Sequence, residues 1–475
     1  MSRRHSTNPW VILVLICLAQ FMVVLDATIV NVALPSIQKD LGLSEANLQW
    51  IVNAYTLVFG GFLLLGGRAG DLLGRKRLFL IGLVIFTTAS LLNGLSSSSG
   101  QLIGFRALQG LGAALISPAA LSIISTTFAE GKERAKALGV WAAIAIGGSA
   151  FGLVLGGWLT QSFSWPWIFF VNVPVGVFAF FAAFRLVPES KDEHAHQGYD
   201  IAGAVTVTGG LMTLVYAIVK AETKGWGSAE TLLLFAVAAA LLAAFVVIER
   251  RSKEPLVRLS IFRVRSLLTA NVTMFLVASG MFAMFFFITL YLQRVLGYHP
   301  LKAGLSVLPF TAGIMFSAGF ASNLAPRIGV RPVAAVGMIL TAVGMLLFAR
   351  MPVHGSYAVD VLPPMIVAAL GMGAVFMPLT LVATTGLEDE DQGLASGLFN
   401  TSQQVGGALG LAILSTIAAG RTHGGSPAAL VHGFHYAFAG AAAFVVAALV
   451  VMVALLRKQH VARIESEAVA APAAA

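Results

Sequence analysis

Charge is what this sequence has least of. Only 11% of its 475 residues are Asp, Glu, Lys or Arg, against roughly 25% in an ordinary soluble domain, while 58% are hydrophobic. A water-soluble fold of this length cannot hide so much apolar side chain, so lipid must be its solvent. Cysteine is nearly missing too: the lone Cys17 excludes an internal disulfide and carries no redox information. There is no nucleotide-binding loop, no metal cluster and no nucleophile–base set, so the chain reads as a non-enzyme with no cofactor and no metal. His299, His354, His423, His432 and His435 fall in or near loops on one side and make no metal-ligand spacing. A cleavable leader is not expected either. The apolar run from Val11 is too long for a signal-peptide core and ends in no small-residue cleavage site, so it reads as a first span.

What is present in abundance is apolar runs of about 20 residues, the length that crosses a bilayer. They lie near residues 10–33, 50–70, 78–96, 102–127, 137–159, 166–186, 201–219, 231–248, 267–291, 303–324, 332–349, 361–384, 393–419 and 436–456. Fourteen spans put both termini on one side. The side shared with the termini carries 21 Lys and Arg, the opposite loops carry 7, and Arg68 and Arg106 fall within or at the ends of spans. By the positive-inside rule both termini are cytoplasmic, in the inner (cytoplasmic) cell membrane. The net charge of +9 is then topology and not a nucleic-acid footprint. The densest basic stretch, residues 249–265, suits anionic lipid head groups.

The chain also repeats itself at an offset of about 255–261 residues. Gln38-Lys39 before Leu41-Gly42 recur as Gln293-Arg294 before Leu296-Gly297. Gly74 and Lys76 of GRAGDLLGRKR (67–77) recur as Gly329 and Arg331. Gly110, Gly112 and Ala113 pair with Gly371, Gly373 and Ala374, and Gly139, Gly148 and Gly152 with Gly397, Gly406 and Gly410. Two parallel six-helix halves are a transporter architecture. The expected division is a six-helix bundle over 1–190, an inserted helix pair with a basic linker over 191–260, and a second six-helix bundle with a short cytoplasmic tail over 261–475. In this alignment Asp71 faces Pro326, Arg106 faces Val367 and Gln109 faces Leu370, so the charged machinery sits in the first half.

Four motifs then give the chain a family likeness. LDATIVNVALP (25–35), GRAGDLLGRKR (67–77), LIGFRALQGLGAA (102–114) and the glycine series 139, 148, 152, 156 and 157 resemble the major facilitator superfamily, specifically its fourteen-span drug:proton antiporters of the EmrB/QacA type. The resemblance covers essentially the whole chain. It implies the all-α integral membrane fold of that superfamily, with two six-helix bundles plus two extra central helices. Two departures stand out: Leu153 where the antiporter glycine motif has Pro, and Trp165-Pro166-Trp167 where Trp-Arg-Trp is common.

Asp26 is the one acidic residue well inside a span. It lies eight residues before Leu34, so about 12 Å below the outer end, and Arg106 lies about 6 Å deep on span 4 at 1.5 Å per residue. A charge in the bilayer costs at least ~2.5–3.5 kcal/mol, so each should face the interior and find a partner. One reading is a static ion pair between spans 1 and 4. The other, which the resemblance favours, is a carboxyl that carries the coupled proton with Arg106 beside it. Gln109 shares the Arg106 face and is a candidate for substrate contact or for helix–helix hydrogen bonding. Asn31, off the Asp26 stripe, is a second cavity candidate or a satisfier of backbone near Pro35. Met281 and Phe285, in a Met- and Phe-rich stretch of span 9, suit promiscuous lipophilic binding, although most of that stretch reads as packing.

The resemblance further implies a conformational latch at Asp71, Arg75, Lys76 and Arg77. Residues 388–391, among them Asp389 and Asp391, are the expected acidic partners across the halves. Gly148, Gly152 and Gly156 recur every four residues and let another helix approach closely; with Gly157 they form the packing motif that the family uses as a tight seam.

The reading that follows is a secondary active transporter, monomeric, powered by the proton gradient, exporting lipophilic drugs, cationic ones among them, or an endogenous metabolite by alternating access. A proton-coupled uptake symporter for a small nutrient is the alternative on the same scaffold. The glycine series and the shortage of intramembrane polar groups favour export.

Overall fold

The computed structural model describes residues 8–128, 132–190, 200–252, 255–384, 389–422, 424 and 426–456. Among them there is no β-strand, and fourteen long helices follow one another in the order the apolar runs require. They are α1 (Pro9–Leu41), α2 (Trp50–Leu73), α3 (Arg75–Gly94), α4 (Ser99–Thr127), α5 (Lys132–Ser162), α6 (Asn172–Leu186) and α7 (Ile201–Lys224). After these come α8 (Ala229–Arg251), α9 (Arg265–Leu290), α10 (Pro300–Ile328), α11 (Val330–Phe348), α12 (Leu362–Thr384), α13 (Asp389–Arg421) and α14 (Pro427–Leu455). Thirteen stretches among the described residues are long and apolar enough to cross a membrane. The long helix outside that set is α5, which lies along α1.

Local chemistry sets the helix ends. Asn8, Ser98, Ser228 and Ser426 turn their side chains onto free N–H groups at the starts of α1, α4, α8 and α14, the usual work of a short polar N-cap. Gly74 (φ 102°) makes the corner between α2 and α3, and Gly329 (φ 95°) makes the one between α10 and α11. Residues with a Cβ rarely adopt such angles, and these two glycines are the pair that the sequence repeat matched. Prolines lie inside α1, α4 and α12 at Pro35, Pro118 and Pro378, as neighbouring membrane helices permit.

The packing repeats with the sequence. In the first half α1 lies against α4, α5 and α6, α2 against α4, and α3 against α4 and α6. In the second half α9 lies against α12, α13 and α14, α10 against α12, and α11 against α12 and α14. Two seams join the halves, α2 with α13 and α5 with α10. The central pair is attached on one side: α7 covers α2 and α13, whereas α8 packs on α7.

The packing corrects the register of the repeat. A Cβ added at Gly82 would come within 3.0 Å of the Gly112 carbonyl oxygen, and one at Gly337 within 2.8 Å of that of Gly371. Gly112 therefore matches Gly371, not Gly373. Arg106 corresponds to Met365 and Gln109 to Ala368, in place of Val367 and Leu370. Glycines two apart in both copies allowed either alignment, and only the neighbouring helix decides. Similarly, a Cβ at Gly152 meets the Leu25 carbonyl and one at Gly410 that of Ser279, so Asp26 corresponds to Gly280. The extra residue before Gln293 is taken up by a five-residue π-helical turn, Tyr291–Val295.

The two ends of the molecule differ. At the end away from the termini, one hydrophobic cluster runs through both halves, with Ile29, Leu34 and Ile37 of α1 sharing it with Phe287, Ile288 and Tyr291. Here Gly157 backs onto Leu301 and Gly304 onto the Leu153 carbonyl, and Gln293 donates to the Val32 carbonyl at 2.8 Å. Leu153, where the family pattern has Pro, is buried in this seam. Towards the termini the clusters largely separate, one around Ile16, Phe79 and Phe86 and another around Met274, Met338 and Met372, and Met315, Phe316 and Phe320 of α10 are exposed.

Candidate functional site

Asp26 and Arg106 meet. Both are buried, and Arg106 Nη1 lies 2.5 Å from Asp26 Oδ2. The helix order explains it: α1 and α4 are neighbours, and a charge on each has no water to turn to, so each is held by the other.

The pair sits in a wider polar network. Gln109 Nε2 donates to Asp26 Oδ1 at 2.8 Å and to Ser90 Oγ at 3.2 Å. Asn172 Nδ2 donates to the same two oxygens at 3.0 and 3.1 Å. Gln109 Oε1 in turn accepts from Arg106 Nη1 at 2.8 Å and from Asn93 Nδ2 at 2.7 Å. Ser90 donates to the Phe169 carbonyl at 2.9 Å. Side chains from α1, α3, α4 and α6 thus converge in the first half, and each is buried.

Arg106 has partners besides the carboxylate. Its Nε donates to the Ile51 carbonyl at 3.0 Å. Its guanidinium carbon lies 4.3 Å from the centre of the Tyr55 ring and 5.7 Å from that of Phe169, where a ring face attracts a cation. The guanidinium is thereby held at several points that do not depend on the charge of Asp26.

The other sequence candidates fall elsewhere. Gln109 belongs to the buried network, with both polar atoms engaged, and so stands away from any open surface as a substrate contact. Asn31 bonds its own helix, donating to the Ala27 and Thr28 carbonyls at 3.3 Å. Met281 is buried among Met274, Met338 and Met372. Phe285 is half-buried with its ring edge-on to Phe310 at 4.9 Å, between the two large clusters of the second half. Gly148, Gly152 and Gly156 all face α1: a Cβ at Gly148 would lie 3.2 Å from the Phe21 ring, and one at Gly156 would lie 2.6 Å from Ile29.

The basic loop finds a partner that the sequence did not single out. Glu189, just past α6, accepts from the Lys76 N–H at 3.1 Å and pairs with Arg77 at 3.8 Å. Lys76 Nζ donates to the Phe184 carbonyl, and the Arg75 N–H to that of Ser190. A carboxylate at the start of α3 suits its dipole. These contacts stay within the first half. Glu388 lies outside the described residues, as do the side chains of Asp71, Asp389, Glu390 and Asp391. Trp165 donates from Nε1 to Asp40 at 2.7 Å, and Pro166 opens the short turn Trp167–Phe170.

Ser90, Asn93 and Asn172 were missed by sequence reasoning. A lone Ser or Asn in a membrane helix is ambiguous, since it can bond its own backbone as Asn31 does. The available signal is burial of three such residues at the level of the one intramembrane acid.

Comparison with known proteins gives one answer. The family model described as Major Facilitator Superfamily matches residues 16–411. The chain is 40% identical over 455 residues to the puromycin resistance protein pur8 of Streptomyces alboniger, covering 94% of this chain and 90% of that one. It is 40% identical over 439 residues to the cephamycin export protein CmcT of Amycolatopsis lactamdurans, covering 92% and 90%. The multidrug resistance protein Stp of Mycobacterium tuberculosis is 37% identical over 404 residues, covering 85% and 74%. Among solved structures, a bacterial homologue of the human lysosomal transporter Spinster superposes with a TM-score of 0.64 at 17% identity, covering 94% and 97% of the two chains.

Proposed function

Because the chain belongs to the Major Facilitator Superfamily, a class of membrane transporters, we propose that it is a proton-coupled exporter of lipophilic antibiotics or related compounds. The termini lie in the cytoplasm, the two six-helix sets are the moving halves of an alternating-access cycle, and the chain acts as a monomer in the cell membrane. Relatives at 40% identity that bear the names of puromycin resistance and cephamycin export support the direction of transport and the size of the cargo.

The observation that carries the coupling is the buried Asp26–Arg106 pair. Asp26 is the proton carrier. When it is neutral, Arg106 still has the Ile51 carbonyl, Gln109 Oε1 and the faces of Tyr55 and Phe169, so the guanidinium is not left alone in a low-dielectric site. When it is ionised, three side chains donate to it at once. The guanidinium is thus held whether or not Asp26 carries a charge, as a reversible carrier requires.

Cells expressing the protein should accumulate less ethidium than control cells, and a protonophore should erase the difference. Asp26→Asn should reach the membrane at normal levels and export nothing against a gradient. Persistent exclusion of the dye without a proton gradient would overturn the coupling, and full activity of Asp26→Asn would move it to another residue.

A further inference from the structure

Along α13 the sequence reads Asn400-Thr401-Ser402-Gln403-Gln404, an unbroken polar run at mid-bilayer depth. A neighbour gives the depth: a Cβ on Gly60 of α2 would lie 2.8 Å from that of Gln404, and Gly60 stands midway along the apolar span Trp50–Gly70. Polar groups at that level need a partner, since lipid offers none. Three of the run have one. Asn400 Nδ2 donates to the Ser396 carbonyl at 3.1 Å, Thr401 Oγ1 to the Gly60 carbonyl at 3.3 Å and Ser402 Oγ to Asn271 Oδ1 at 2.7 Å. Gln403 and Gln404 make no side-chain hydrogen bond among the described residues, and both are only half-buried.

The helix pairings decide what these two amides face. The helices α1, α4, α2, α13, α9, α12, α10 and α5 each touch the next, and α5 returns to α1, so they ring the space between the halves. α7 stands outside that ring, against α2 and α13. On α13, Val405 and Leu409 share a cluster with α7, while Ser402, Gly406 and Gly410 meet α9. Residues advance by about 100° each along a helix. Gln403 therefore points away from α7 and into the ring, and Gln404 lies between that direction and α2. One turn on, Gly407 carries the ring of Phe282 from α9: a Cβ there would fall 2.6–2.8 Å from three of its atoms. Phe282 and Phe285 are half-buried like the two glutamines.

We propose that Gln403 and Gln404 bind the transported compound, as an amide pair beside the Phe282 ring. The proposal rests on the exporter reading and names the chemistry of its cargo. A glutamine amide both donates and accepts and carries no charge. It suits a carbonyl, hydroxyl or amide edge on a compound whose remaining surface lies against an aromatic face. Cargo recognition then belongs to the second half and proton binding to the first, so the two ligands occupy opposite walls of the ring and the cargo needs no charge of its own.

Equilibrium binding of puromycin to the purified full-length protein tests this, because puromycin carries hydroxyl and amide groups beside aromatic rings. Gln403→Leu and Gln404→Leu replace an amide by an apolar chain of similar size, at a depth that favours apolar side chains. Each should therefore insert normally and melt no lower than the parent. Each should weaken puromycin binding about tenfold, roughly the worth of one hydrogen bond, and the double variant should weaken it further. Ser402→Ala, on the face turned to α9, should leave binding unchanged. Binding equal to that of the parent in both leucine variants would overturn the site, as would a parent that binds no puromycin. Weakened binding together with a lower melting temperature would assign the two glutamines to packing instead. The exporter reading fails separately, when the parent binds puromycin in the expected pattern but cells expressing it accumulate as much of the drug as control cells.

Discussion

The two halves share a chain path and differ in what they bury. At one level of the first half lie Asp26, Ser90, Asn93, Arg106 and Gln109, joined by hydrogen bonds. The matching positions of the second half hold Gly280, Met345, Phe348, Met365 and Ala368. Four of these, Met345, Phe348, Met365 and Ala368, belong to one hydrophobic cluster. The apolar version shows that the fold does not need the polar one: the same helix pairings form around methionine and phenylalanine. A buried ion pair is weak evidence for stability in any case. The helix packing therefore does not account for the network, and the second half is the built-in control.

The comparison breaks most sharply if one charge is left without the other. Arg106→Met, which installs the residue of the second half, should strand Asp26 and cost ~3–5 kcal/mol, the usual penalty for halving a buried pair. Its thermal unfolding should shift down strongly and transport should vanish. The double variant Asp26→Asn with Arg106→Met should regain most of that stability and remain inactive; a double variant as unstable as the single one would mean that the network holds the fold together. The reverse transfer comes next. Met365→Arg places a lone charge where no acid waits, at ~2.5–3.5 kcal/mol on insertion scales, and should lower the amount of protein in the membrane fraction.

Smaller effects should follow inside the first half. Gly156→Ala forces a methyl group against Ile29 in the α1–α5 contact and should cost ~1–3 kcal/mol by overpacking, seen as a lower melting temperature. The smallest is Asn93→Ala. Gln109 Oε1 keeps its bond from Arg106, so the loss should be about 1 kcal/mol, the net worth of an ordinary hydrogen bond, with export slowed and not abolished. If Asn93→Ala matched Asp26→Asn in transport, the network would act as an inseparable unit.

Much of this was readable from residues alone, and the reasons are physical. Long apolar runs and a basic bias between loops are strong, additive signals, so the helix order emerged at once. The Asp26–Arg106 pair was legible because one acid and one arginine inside neighbouring spans have nowhere else to go. Glu189 was not, because a single acid at a helix end looks like any solvated surface residue. The register between Gly112 and Gly371 was lost to repetition, since small residues two apart in both halves fit two alignments equally well. The π-helical turn at Tyr291–Val295 leaves no compositional trace at all; it appears only when the contacts of Gly410 and the position of Gln293 are compared.

The attachment of α8 has a consequence for how such a protein is built and rebuilt. A helix whose main helical neighbour is the one just before it can leave the insertion machinery with that neighbour as a finished hairpin. Its docking then waits on one face of α7 meeting α2 and α13. A gain or loss of this hairpin would leave every pairing inside the two six-helix sets untouched. Length changes in the chain are thus cheapest at its middle, where two spans can be added as a cassette without redesigning the rest.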